Sequence, residues 1–158
     1  MKPISAEAAL GRAAALCSRG EQAERDIYDK LIKWGIGETD ATSIIKRLKD
    51  EGFLNEERYA LAFAHDKFRF NGWGRIKIAY MLRQKGVSSQ YITLAVNSIG
   101  DDECRETLTK LLRARWREVS GRDSANARAA LLRHGASRGF EPELLYSCVD
   151  MVMKDGKD

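Results

Sequence analysis

The sequence predicts an all-α protein made of three tandem three-helix repeats in an elongated, curved array. Three observations carry this. Apolar residues recur at the helical period along nearly the whole chain, with no Asn-Gly or Asp-Gly turn between alternating apolar runs. The only prolines, Pro3 and Pro142, fall near predicted helix starts, where proline is tolerated. The pattern then repeats around three glycines, Gly35, Gly86 and Gly139, spaced 51 and 53 residues apart.

Around these anchors the same character returns without a gap. The sets are Ile27, Ile78 and Leu131; Ile36, Val87 and Phe140; Ala41, Ile92 and Leu145. They continue as Ile44, Ala95 and Cys148; Ile45, Val96 and Val149; Leu48, Ile99 and Val152. A period of this length indicates helical units stacked in series. One position breaks the pattern. Gly135 stands where the first two units have Leu31 and Leu82, and a mid-helix glycine costs roughly 1 kcal/mol relative to alanine. The third unit is therefore expected to be looser or differently placed.

Taken in order, Ser5 caps a first helix to about Ser18, with Ala9, Ala13, Leu16 and Cys17 inward. A second runs to Trp34 with Ile27, Tyr28, Leu31 and Ile32 inward, and a third runs from about Thr39 or Asp40 to Glu51. Asn55 caps the fourth, whose first turn carries Glu56 and Glu57 and along which Tyr59, Phe63 and Phe70 lie at helical spacing. The fifth spans Arg75 to Lys85, with Gly86 as its C′ residue and Val87 folding back over its end. Ser88 caps the sixth. Asp101-Asp102 opens a seventh bearing Leu108, Leu111, Leu112, Trp116 and Val119. An eighth follows the Gly121-Arg122-Asp123 turn and ends at Gly139-Phe140, and Pro142 starts the ninth. The units are read as residues 5–53, 54–100 and 101–154, with 155–158 a frayed tail.

Charge distinguishes the middle unit. The net +4 lies wholly in residues 54–100, which hold seven basic and three acidic side chains, whereas each flanking segment is balanced. No Asp or Glu occurs from Lys67 to Gly100. Such a field attracts nucleic acid or an acidic protein surface, although a solvated helix face carries similar charge. On a wheel of about 100° per residue the fifth helix turns Ile78, Ala79, Met81 and Leu82 inward and Ile76, Lys77, Tyr80, Arg83 and Gln84 outward. Arg75 and Lys85 flank the inward stripe and are expected to reach outward. Candidate partner- or DNA-binding residues are Lys67, Arg69, Arg75, Lys77, Tyr80, Arg83 and Lys85. Repeat stacking favours packing against a neighbouring unit for Ile76 and Tyr80, and binding for Lys77 and Arg83. Trp73, between Gly72 and Gly74, is expected to wedge between helices beneath the turn.

Catalytic chemistry finds no support. His65 and His134 lie in different units, and Cys17, Cys104 and Cys148 are far apart, which fits buried thiols in a reducing cytosol. Carboxylate pairs sit at predicted helix starts, where capping explains them. Gly72-Trp73-Gly74 lacks the lysine and hydroxyl of a phosphate loop. No nucleophile stands beside a base, so the chain reads as a non-enzyme without metal or cofactor. No signal peptide or bilayer-spanning stretch is expected.

Several stretches together resemble the RecX family, bacterial regulators of the RecA recombinase. They are Gly52-Phe53-Leu54-Asn55-Glu56-Glu57-Arg58-Tyr59-Ala60 with Phe63, and Trp73-Gly74-Arg75 with Ile78, Leu82 and Lys85-Gly86-Val87. Cys17-Ser18-Arg19 through Asp26-Ile27 and Leu31 resembles the family's first unit, and Arg138-Gly139-Phe140 its third. Gln22-Ala23 departs from the family's frequent aromatic-Ser, which leaves the second helix without a side-chain cap. The resemblance implies three three-helix repeats, and the chain is expected to be a cytoplasmic monomer. This would bind RecA filaments on DNA, apparently within their groove, touching the DNA directly or through the filament. It would restrain strand exchange and coprotease activity in recombination, DNA repair and the SOS response. The competing expectation is a sequence-nonspecific nucleic-acid-binding helical array.

Overall fold

The computed structural model describes residues 4–156. Among these are nine helices and no strand: α1 (Ala6–Arg19), α2 (Glu24–Lys33), α3 (Glu38–Asp50), α4 (Glu56–Asn71), α5 (Arg75–Gln84), α6 (Ser89–Asn97), α7 (Asp101–Val119), α8 (Ser124–Ser137) and α9 (Pro142–Gly156). Pro142 opens α9, while Pro3 lies outside the described residues.

The three anchors close their helices in the same way. Gly35, Gly86 and Gly139 have φ of 93°, 78° and 87°, a conformation open to glycine at little cost. Each N–H donates to the carbonyl three residues back, and the next residue donates five residues back: Ile36 to Leu31, Val87 to Leu82 and Phe140 to Gly135. These are Schellman ends, which normally carry an apolar contact between the two outer residues of the motif. In the third unit that contact has no side chain at Gly135. Leu145 takes its place: a Cβ on Gly135 would overlap Leu145 Cδ1, and Leu145 is buried. The glycine therefore admits a neighbouring leucine and does not loosen the unit, and α8 runs unbroken through it. We expect Gly135→Leu and Leu145→Ala each to destabilise, by about 1–3 and 2–5 kcal/mol respectively. The double variant should fall short of their sum by at least about 1 kcal/mol in denaturant melts. Strict additivity would mean that the two side chains do not share one space.

Apolar burial divides into three clusters. The first gathers Ala9, Ala13, Ile27, Leu31, Ile36, Ala41, Ile44, Ile45, Leu48 and Leu54. The second centres on Tyr59, Ala64, Ile78, Leu82, Ile92 and Ile99. The third centres on Leu108, Leu112, Val119, Leu131, Val149 and Val152. Each cluster takes a residue from beyond its own helices or contributes one: Leu54 sits in the first, while Ala23 and Cys104 sit in the second. All extensive helix packing lies within units. Accessible surface is 9552 Å², against about 8,000 Å² for a compact protein of this mass, as an elongated array requires.

Several side chains lie elsewhere than their spacing suggests. Ile32 is exposed, and Phe70 is 76% exposed. Phe70 continues the Tyr59–Phe63 stripe, but α4 has 16 residues against 10 in α5 and 9 in α6, so the stripe outruns the core. The expected tail is helical through Gly156, which packs on the Trp116 indole, and Asp155 pairs with Arg113 at 3.5 Å. Residues 157 and 158 lie outside the described residues. Asn55 accepts from Arg58 N as expected, whereas Ser88 turns its hydroxyl to Glu56. Ala23 supplies no side-chain cap to α2.

Tyr59, buried in the second cluster, has its phenol pushed up to about 12 by desolvation and then by the Asp26 carboxylate. The folded state therefore holds this proton where an unfolded phenol, with a pKa of about 10, has lost it. Stability present below about pH 10 is expected to fall as pH rises toward 12. Absorbance titration should show a late phenol that Tyr59→Phe removes.

Candidate partner-binding face

The ends of α2, α5 and α8 meet from unit to unit. Gly74, at the N-cap of α5, offers no capping side chain. Its N–H donates instead to Arg138 O at 2.7 Å, and Ile76 N–H donates to Gly139 O at 3.0 Å. The unpaired amides of one helix start thus meet the unpaired carbonyls of another helix end, so that dipole ends of opposite sign face each other. Contact is close enough that a Cβ on Gly74 would lie 2.6 Å from Gly139 C. At the other end of α5, Arg25 on α2 donates to Gln84 O at 2.8 Å, and Lys85 pairs with Asp26 at 3.1 Å.

These joints divide the seven candidate side chains. Arg75 does not reach outward. Only 16% of its side chain is exposed, and it bonds Glu141 at 2.7 Å, Asp101 at 2.6 Å and Ile99 O at 3.1 Å. Burial disfavours its charge, but the hydrogen bonds it donates to Asp101 and Glu141 outweigh that and hold its pKa above the ordinary value. Lys85 is spent on Asp26. Both residues are struts between units.

Lys67, Arg69, Lys77 and Arg83 have no carboxylate partner among the described residues. Trp73 organises two of them. It packs edge-on to Phe63 at 6.3 Å and is only half-buried, with Lys67 Nζ at 5.0 Å and Lys77 Nζ at 4.6 Å from its ring centre. Both distances suit cation–π attraction. Ile76 and Tyr80 do not pack on a neighbouring unit: they are 47% and 53% exposed, one turn apart on α5. Cations interleaved with exposed apolar and aromatic groups make a face able to hold an acidic or nucleic-acid surface. Phe70, with Arg69 5.7 Å from its ring, extends the face and was not legible as exposed. Arg138 extends it into the third unit by donating to Asn71 O at 3.4 Å. In the third unit, Arg113, Arg115 and Arg128 are paired to Asp155, Glu118 and Asp150.

Among the described residues no three His, Cys, Asp or Glu side chains gather as a metal site, and no helix is long and apolar enough to cross a membrane. Cys104 and Cys148 are buried and Cys17 is half-buried, all with free thiols. Desolvation raises the Cys17 and Cys104 thiols above their ordinary value.

Fold and face define a helical-repeat protein with a cationic, aromatic-studded face on its middle unit. Residues 55–96 match the family description "RecX, second three-helix domain". The chain is 30% identical over 146 residues to the regulatory protein RecX of Xanthomonas axonopodis pv. citri, covering 91% of this chain and 87% of that one. It belongs to the RecX family of regulatory proteins. It is 28% identical over 133 residues to the RecX of Clostridium perfringens strain 13, covering 83% of this chain but only 60% of that longer relative. The crystal structure of RecX from Lactobacillus salivarius superposes with a TM-score of 0.85 at 18% identity, covering 93% of this chain and 96% of the other. A second RecX crystal structure gives 0.82 at 22% identity, covering 95% of this chain and 71% of the other. The fold is shared with both.

Proposed function

We propose that this protein docks on RecA filaments assembled on DNA and restrains strand exchange and coprotease activity, acting by binding and not by catalysis. Family membership supports the partner. The observation that carries the reading is a set of uncompensated cations on the middle unit: Lys67 and Lys77 on the Trp73 ring, and Arg83 on α5 beside the exposed Ile76 and Tyr80. A nucleoprotein filament is polyanionic, and an unpaired cationic face meets it without first breaking ion pairs of its own. In this reading Lys67, Arg69, Lys77, Tyr80 and Arg83 make the contact, while Arg75 and Lys85 hold the units that present it. The protein acts as a cytoplasmic monomer with no cofactor.

Co-sedimentation tests this. The protein should pellet with recombinase assembled on single-stranded DNA well beyond its pelleting with naked DNA, and should slow strand exchange and filament ATP hydrolysis. Equal pelleting with naked DNA would sink the reading. It would favour the second one, a sequence-nonspecific nucleic-acid-binding array, for which the exposed Tyr80 and Phe70 among cations speak. That reading requires DNA affinity to fall steeply with salt in the absence of any recombinase.

A further inference from the structure

The two joints of the array are built from different chemistry. Between the second and third units, two backbone–backbone hydrogen bonds join Gly74 and Ile76 to Arg138 and Gly139. The largely buried Arg75 spans the same joint, Leu144 packs against both cores, and a Cβ on Gly72 would touch Leu111. Between the first and second units, the connector apart, no backbone–backbone bond crosses among the described residues. Side chains alone hold that joint: Arg25 on Gln84 O, Lys85 on Asp26, and Arg58 on Glu21 at 2.5 Å. All of these are at least partly open to solvent. Ala23 is the small apolar residue that crosses into the second core. A cleft of about 470 Å³, lined by Glu24, Arg25, Tyr28, Ile45, Glu56 and Ser88, separates the two units and leaves room to close.

We infer that the joint between the first and second units is a salt-released hinge, about which the first unit swings while the second and third move as one body. The pivot is the connector from Glu51 to Asn55, where Gly52 has φ 80°. Arg58 is its latch, since the same guanidinium holds Glu21 and the carbonyls of Gly52 and Phe53. Exposed ion pairs weaken as salt rises, whereas backbone bonds sheltered by packing hold. Ionic strength therefore acts on one joint and not on the other. This conclusion stands whether or not the filament is the partner.

The test uses the full chain with Cys17→Ser, the buried Cys104 and Cys148 being protected from labelling. Spin labels go on exposed helical positions. Ser43→Cys with Gln90→Cys reports the first joint, and Gln90→Cys with Ala125→Cys the second. Raising salt from about 0.02 M to about 0.5 M shortens the screening length several-fold. It is expected to broaden the Ser43–Gln90 distance distribution about twofold and to leave Gln90–Ala125 unchanged. Glu21→Gln with Asp26→Asn should give the broad distribution already at low salt. Swapping the pair, Asp26→Lys with Lys85→Asp, should keep it narrow at low salt. A salt-independent width at the first joint, equal broadening at both joints, or a narrow distribution in the neutralised variant would each overturn the inference.

Discussion

Gly139→Ala is expected to destabilise the protein by about 2–6 kcal/mol and to part its second and third units. Two costs combine. The residue has φ 87°, which an L side chain adopts at a cost of about 1–3 kcal/mol. Its Cβ would also overlap Lys77 Cβ and stand 2.5 Å from Lys77 N, part of the α5 backbone, which cannot rotate away. Relief requires the joint to open, losing the bonds from Gly74 and Ile76. Gly52→Ala is the matched control. Gly52 has φ 80° and nothing within 4 Å of an added Cβ, so only the conformational cost of about 1–3 kcal/mol applies. Urea midpoints of the two variants separate the contributions. Equal losses would show that the Gly74–Gly139 contact contributes nothing beyond backbone geometry.

Lys77→Glu with Arg83→Glu is expected to weaken filament binding roughly 10- to 100-fold, the scale of placing like charges across an interface. Folding should survive. Lys77 lies in the first turn of α5 and Arg83 in its last. An acid is favoured at the helix start and disfavoured at its end, each by about 0.3–1 kcal/mol, so the two dipole effects roughly cancel. Pelleting with the filament, alongside circular dichroism, reads both quantities. Arg75→Ala should do the reverse: its helix loses a link to two carboxylates and a carbonyl, so stability falls while the outward face keeps its charge. Unchanged pelleting by a folded Lys77→Glu, Arg83→Glu variant would remove this face from the interface.

Much of the fold was legible because a helix records its own axis. Ile27, Ile78 and Leu131 repeat at the same distance from a glycine that ends the helix, and all three are buried. Joints between units leave no such record. Lys85 and Asp26 are 59 residues apart and Arg75 and Glu141 are 66 apart, with no local rule connecting them. Arg75 and Lys85 therefore looked like the other cations of their helix. Gly135 misled for a related reason: helix propensity sees a missing side chain, while the leucine that fills the space comes from α9. Stacked units usually cover residues such as Ile76 and Tyr80, which points them toward packing. The ends of α5 meet its neighbours here and its outer side does not, so both stay open.

At the second joint, the order in which helix ends meet runs against the order of synthesis. The end of α8 abuts the start of α5, so the second unit waits for the third to complete its helix start, whereas at the first joint Arg25 of the earlier unit is already in place to cap Gln84 O. Chains lengthen at about 5–20 residues per second and domains fold as units as they emerge. During that interval the amides of Gly74 and Ile76 must be satisfied by water, until Arg138 and Gly139 arrive. A polypeptide released before Gly139 would keep that amide pair open, ready for another acceptor. The far end has no such vulnerability, because Asp123 accepts from Asn126 N and seals the start of α8 within its own unit.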